Sequence, residues 1–221
     1  MAHSGPTTEA HGDKVASQTR ERILNAAERL FAEHGLEGVS TRDITTAAGA
    51  NVGAINYYFG SKAGLVFAVF DRRLTPITEE RVAGLDALEK ATGQRAPSPE
   101  EVLLSYIRPA VEHALDPKWG GTSFAKLMGR LVGEPGTRAV EKLKKTHFDR
   151  FTRRYDAALL RAIPGLSAQE LSWRKVFIIG ALHYMLLTID QALPGLEAQE
   201  SDRERLIRRL VSFAVAGLRS A

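Results

Sequence analysis

Beyond residue 17 the apolar positions recur with a helical period, and nowhere does a strand period persist. In residues 17–34, Ile23, Ala27, Leu30 and Phe31 fall on one face, and Gly35 supplies the stop. Two short segments follow, 41–48 and 52–59, separated by a turn with Gly49 and Asn51. A long run over 61–90 contains Pro76, where a bend is expected because proline removes one backbone donor. Further helices are expected at 99–115, 122–133, 137–162, 168–191 and 202–219. Helix starts are marked by Ser40-x-x-Asp43, Ser98-x-x-Glu101, Ser167-x-x-Glu170 and Ser201-x-x-Glu204. In each, a serine hydroxyl can accept from an orphan amide while the acid sits on the positive helix end. Pro-Gly pairs at 135–136, 164–165 and 194–195 punctuate the second half. With no Asn-Gly or Asp-Gly hairpin turn, the pattern predicts an all-α chain of about nine helices. Residues 1–16 lack apolar periodicity and read as a mobile arm.

Composition narrows this picture. The chain has 221 residues, 44% of them hydrophobic and 25% charged, enough for a core in one or two domains. The absence of cysteine excludes disulfides, thiol catalysis and cysteine-based metal sites. Lys plus Arg number 30 against 26 acidic residues, a mild basic excess compatible with a polyanion partner. No apolar run reaches the roughly 18 residues of a membrane span, and no leader pattern opens the chain, so a cytoplasmic protein is expected.

Chemistry concentrates in residues 40–62. Ile44, Ala48, Ile55 and Phe59 can close a small core against residues 17–34, leaving two short helices joined at Gly49. That is the geometry of a helix-turn-helix, whose second helix enters the major groove. Its outer face carries Gly53, Asn56 and Tyr57. Glycine permits close approach to the bases, asparagine can bond a base edge or a phosphate, and tyrosine can donate to phosphate. Lys62 begins the next helix, where its charge and the helix end both favour a phosphate. Taken singly, Tyr57, Tyr58 and Phe59 read as core aromatics and Lys62 as a solvated charge; their assembled spacing carries the reading, with Phe59 assigned to the core.

These residues closely resemble the DNA-binding domain of the TetR family of bacterial regulators. The likeness runs from Thr19 to about Phe70: Ile23-Leu-x-Ala-Ala-x-x-Leu-Phe31, the Gly35 turn, Ser40-Thr41-Arg42-Asp43-Ile44, and Tyr57-x-Phe59-x-Ser61-Lys62. It implies a DNA-binding domain over 17–63 and a helical ligand-binding and dimerisation domain over 64–221. It implies phosphate contacts from Thr41, Tyr57 and Lys62, and base or groove contacts from Asn51, Val52, Gly53 and Asn56, with Arg42 and Tyr58 beside them. Thr45 and Asn56 depart from the family's common Ala and Tyr, so the operator cannot be borrowed from a relative. Asn56–Lys62, Leu171-Ser-Trp-Arg174 and Pro76 look more specifically like the PsrA-type branch, which answers to long-chain fatty acids.

In the second half, residues 176–187 are apolar nearly all round, broken only by Gly180 and His183. Such a helix is buried on every side, one side calling for a partner. Residues 202–219 carry two stripes, Leu206–Leu210–Phe213 and Ile207–Val211–Val215, with Ala214 and Gly217 allowing close approach. This fits the family's homodimer through the last two helices, whose two-fold axis implies a palindromic operator on double-stranded DNA. A small hydrophobic effector is expected within the bundle. Candidate lining residues are Phe67, Tyr106, His113, Phe124, Met128, Phe148, Phe151, Tyr155, His183 and Tyr184, with Arg130 positioned to meet a carboxylate. Each is also ordinary core filler, and Arg130 an ordinary surface ion-pair residue. Arg138, Lys142, Lys144, Lys145, Arg150, Arg153 and Arg154 form either a solvated basic face or the entry rim for an acyl-CoA.

No enzyme constellation stands against this. The six histidines, His3, His11, His34, His113, His147 and His183, include no pair at helical metal-ligand spacing. There is no Gly-x-Ser-x-Gly elbow, and Gly60-Ser-Lys62 lacks the order and preceding strand of a phosphate loop. No catalytic residue, metal or cofactor is expected. The expected function is a ligand-responsive transcriptional repressor released from DNA by a fatty acid or acyl-CoA. A multidrug-type or other small-molecule sensor on the same scaffold is the alternative, and a helical acyl-binding protein or enzyme a remote one.

Overall fold

The computed structural model describes residues 7–119, 123, 126–129, 138–192 and 200–220. Among them every regular element is helical. Helix α1 spans Thr7–His34, α2 Thr41–Ala48, α3 Gly53–Phe59, α4 Lys62–Thr92 and α5 Pro99–Leu115. Helix α6, Arg138–Leu143, passes through a π-helical turn, Lys144–Phe148, into α7, Asp149–Ala162. Helix α8, Ala168–Ala192, and α9, Glu200–Arg219, complete the chain. Among the described residues no helix is long and apolar enough to cross a membrane.

Two expectations change. Helix α1 begins at Thr7 rather than 17. Between Thr8 and Ser17 only Gly12 opposes helix, and extending an existing helix costs little per residue. The helix expected at 137–162 is interrupted by the π turn, whose extra residue reorients side chains locally. The helix expected at 122–133 lies mostly outside the described residues, and so do Phe124 and Arg130; residues 123 and 126–129 are helical.

The chain divides into two compact units, Met1–Phe70 and Asp71–Ala221. The division falls inside α4, later than the 63/64 boundary read from sequence. The first turns of α4 explain this: Leu65, Val66, Val69 and Phe70 are all buried. In the first unit α1 packs on α2 and α2 meets α3. Ile23, Ala27, Phe31, Leu36, Val39, Ile44 and Ile55 are buried there. A fully buried side chain such as Phe31, at 0% exposure, contributes about 1.5–3 kcal/mol. In the second unit α5 packs on α9, α7 and α8, and α8 on α7 and α9. Val102, Ile107, Val111, Phe151, Leu182, Ile207 and Leu218 are buried in that unit.

Candidate functional site

Short-range bonds set the geometry of the first unit's outer face. Ser40 and Asp43 form a full capping box at the start of α2: the Asp43 amide donates to Ser40 Oγ at 3.2 Å, and the Ser40 amide donates to Asp43 Oδ2 at 2.9 Å. The Ser40 hydroxyl, with its amide, holds the Asp43 carboxyl below the usual aspartate range. Gly49 closes α2 in the left-handed conformation at φ 58, where a side chain would be strained. Asn51 Oδ1 then accepts from the Gly53 amide at 2.8 Å and fixes the entry into α3. Ser61 Oγ accepts from the Gly64 amide at 3.0 Å at the head of α4. A methyl group on Gly64 would come within 2.0 Å of the Phe59 carbonyl oxygen, so only glycine lets α4 leave α3 at this angle.

These bonds present one face. Ile55 points into the core, while Gly53 and Asn56 are exposed. Val52 is 54% exposed and Tyr57 80% exposed. Tyr58 is half-buried, its ring edge-on to Tyr57 at 4.8 Å between centroids. Arg42 is exposed, and Thr41 and Lys62 are half-buried at the first positions of α2 and α4. Phe59 corrects the sequence reading: it is half-buried rather than core, with the Arg20 guanidinium 5.3 Å from its ring centroid. Arginine covers an aromatic surface that the small core cannot enclose. Thr45 is buried because its hydroxyl bonds back to the Thr41 carbonyl at 3.0 Å, which makes a polar residue tolerable there.

In the second unit the aromatic candidates gather around α5 and α7. Tyr155 stands edge-on to both Tyr106 and Phe151, which are tilted against each other, and Phe148 lies beside Phe151. With Leu103, Leu159, Ile178 and Ile179 they line an apolar cleft of about 70 Å³, at whose edge Lys175 is paired with Asp156 at 2.6 Å. Tyr155 Oη donates to the Arg81 carbonyl at 2.9 Å and lies 3.1 Å from Ser105 Oγ; burial pushes its pKa up. His183 is mostly buried, and its Nδ1 has no partner; burial, and then the Arg81 charge, push its pKa down to about 4. Met128 is buried.

Other candidates lie elsewhere. Phe67 belongs to the first unit. His113 lies in a separate polar cleft of about 590 Å³, its Nε2 donating to Glu80 Oε1 at 2.8 Å and its ring edge-on to Trp119. Tyr184 is 69% exposed and so is no lining residue: its helical phase puts it on the outer face of α8. Trp173, Val176, Phe177 and Leu187 are exposed on the same helix, and Phe213 on α9. Among them, Gly180 and Gly217 each have open space where a side chain would stand. Ala214, expected on this face, is buried within its own unit instead, next to the inward stripe Ile207–Val211–Val215. Of the basic face on 137–162, Arg154 is held by Asp86 at 2.6 Å and Glu89 at 2.7 Å, Lys145 and Arg153 are exposed, and the side chains of Arg138, Lys144 and Arg150 lie outside the described set.

The sequence reading missed Arg81. It sits among Glu79, Glu80 and Asp86 and so looks solvated, yet it is 5% exposed. The missed signal is register: Leu74, Ile77, Arg81 and Leu85 form one helical stripe whose three apolar members are buried. His147 was likewise unassigned. The π turn brings its Nε2 to 2.9 Å from Asp71 Oδ1, with Thr78 Oγ1 3.5 Å from Nδ1.

Two family models match the chain. Residues 23–69 match "Bacterial regulatory proteins, tetR family", and residues 105–217 match "Tetracyclin repressor-like, C-terminal domain". The transcriptional repressor AcnR of Corynebacterium glutamicum is 45% identical over 60 residues, covering 27% of this chain and 31% of that protein. The match thus spans under a third of that relative's length. The transcriptional repressor Rv3405c of Mycobacterium tuberculosis is 32% identical over 143 residues, covering 50% of this chain and 76% of that one. The regulator FadR from Bacillus subtilis, solved in complex with stearoyl-CoA, superimposes with TM-score 0.59 at 18% identity over 89% of this chain and 98% of that one, a likeness of fold.

Proposed function

Because the chain belongs to the TetR family of bacterial regulatory proteins, we propose that it is a homodimeric transcriptional repressor that binds a palindromic operator and is released by a small apolar effector. The observation that carries this is the outer face of α3. A helix with Gly53, Asn56 and Tyr57 exposed, flanked by Thr41 and Lys62 at two helix N-termini, has the shape and donors that a major groove and its phosphates accept. Val52 offers an apolar contact to a thymine methyl, and Asn56 a side-chain amide to a base edge. Tyr57 and Lys62 donate to phosphate and set position rather than sequence.

The exposed apolar face of α8 and α9, with its two open glycines, supports a two-fold pairing that sets two α3 helices about one DNA turn, roughly 34–36 Å, apart. The cleft bounded by Tyr106, Phe151 and Tyr155 supports an effector site in the second unit. Its small volume means that a larger guest must part α5, α7 and α8. Helix α4 runs unbroken from Lys62 to Thr92 and so belongs to both units; it carries that change to the DNA-reading residues. Effector and operator then oppose each other. The fatty-acid-responsive branch is our reading of the effector class, supported by the apolar lining and by the fold shared with a FadR that holds stearoyl-CoA.

The test is selection of duplexes from a random library by the purified full chain. Enrichment of a palindrome with half-sites about one turn apart is expected. Failure to enrich any duplex would overturn the reading.

A further inference from the structure

Arg81 is a buried cation in the second unit, and among the described residues no carboxylate is paired with it. Its Nε donates to the Tyr106 carbonyl at 2.8 Å, and its guanidinium carbon stands 3.9 Å from the Tyr106 ring centroid and 5.5 Å from that of Phe151. Three other partly buried arginines of this unit differ. Arg108 is bound to Glu112 and Glu204, Arg154 to Asp86 and Glu89, and Arg174 to Glu170. Burying a guanidinium without an anion is costly, and stacking on two rings offsets only part of that cost. Such a group persists where an anion completes it.

His183 on α8 adds a second incomplete group. Its Nδ1 is buried without a partner, and the ring feels the Arg81 charge. With its pKa down near 4, the imidazole stays neutral at physiological pH and does not compete with Arg81 as a cation. The rings that hold Arg81, Tyr106 and Phe151, also wall the apolar cleft, and Tyr155, which bonds the Arg81 carbonyl, packs against both. A charged fork therefore adjoins a greasy slot.

Resting on the effector-site reading above, we propose that Arg81, with His183, is the receptor for the head group of the effector, and that the effector is a free organic carboxylate with an apolar body. The guanidinium's parallel N–H pair matches a carboxylate's two oxygens. A thioester carbonyl carries no charge and would leave Arg81 unpaired, so the acyl-CoA form is disfavoured. The tethering of Arg154 by Asp86 and Glu89 agrees with this, because it withdraws one of the cations that an acyl-CoA rim would use.

The experiment compares palmitate, hexadecanol and palmitoyl-CoA as displacers of Nile red from the full-length dimer. Palmitate is expected to win over both by about 10- to 100-fold, the worth of a charge-assisted hydrogen bond. Arg81→Met is expected to abolish the preference while hexadecanol displaces as before, and Arg81→Lys to retain part of it. The wild-type comparison stands even where Arg81→Met fails to fold. Equal potency of hexadecanol and palmitate, or greater potency of palmitoyl-CoA, overturns the carboxylate receptor and leaves the apolar site in place. Absence of Nile red uptake and of binding by all three probes overturns the effector-site reading together with it.

Discussion

The two units position their exposed or unpaired groups by opposite means. In the first, the hydrogen bonds that cap and turn the outer face join residues two or three apart: Ser40 with Asp43, Asn51 with Gly53, Ser61 with Gly64. In the second, the equivalent bonds cross long stretches of chain. Arg81 reaches Tyr106 across 25 positions, Tyr155 reaches Arg81 across 74, and Arg108 reaches Glu204 across 96. A surface that must stay constant while it reads a fixed duplex is built from local, stiff turns. A pocket that must yield to a guest is built from contacts that separate when helices move apart, and those contacts are the ones an effector can alter.

The largest effect should come from breaking the outer apolar face. Phe177→Asp with Phe213→Asp puts charges where exposed rings now stand, and the dimer should fall to monomers by sedimentation. A monomer holds a single α3, so operator affinity should drop by at least about 100-fold, each lost half-site contact set being worth several kcal/mol. A dimer that survives would move the interface elsewhere.

Gly64→Ala comes next. Its methyl would meet backbone, the Phe59 carbonyl, rather than a yielding side chain, so the first unit should lose about 1–3 kcal/mol in thermal or denaturant melts. The second unit's own transition should not shift. Equal destabilisation of both would mean that the units do not melt separately.

Lys62→Ala should weaken binding evenly across duplex sequences and lower the slope of log affinity against log salt by about one. Tyr57→Phe should weaken it roughly fivefold, one hydrogen bond's worth. A change in the preferred sequence with Lys62→Ala would make this lysine a reader of bases rather than an anchor on phosphate.

Ser98→Ala should be the smallest, about 1 kcal/mol at pH 7 from the cap of α5. The Ser98 amide, then its hydroxyl, hold the Glu101 carboxyl below the ordinary value of 4.5. A lowered carboxyl pKa contributes stability above 4.5 and loses it as the pH falls through the folded value. Because Ser98→Ala removes only the hydroxyl's share of that effect, the gap between wild type and variant should narrow, not vanish, below that range in melts across pH.

The same contrast explains what was legible in the sequence. Ser40-x-x-Asp43, Gly49 and Tyr57-x-Phe59-x-Ser61-Lys62 state their local geometry outright, and the helices they predict are the ones observed. The exposed stripe of α8 could be inferred as a surplus of apolar residues, but not its phase, so Tyr184 was placed inside the bundle and stands outside it. Arg81 was missed because three neighbouring acids suggested solvent, and only its register with Leu74, Ile77 and Leu85 gives away its burial. His147 depends on a π turn, whose extra residue no apolar period announces. Phe59 failed for want of volume: a unit this small cannot cover every aromatic ring.

In the proposed switch, a guest in the second unit and DNA on the first oppose each other through the shared helix α4. Its most direct test is fluorescence anisotropy of the selected operator with the full-length dimer, titrated with palmitate to saturation. Operator affinity should fall by at least about tenfold, matched by an equal loss of palmitate affinity when operator is saturating. Operator affinity unchanged at saturating palmitate would contradict it.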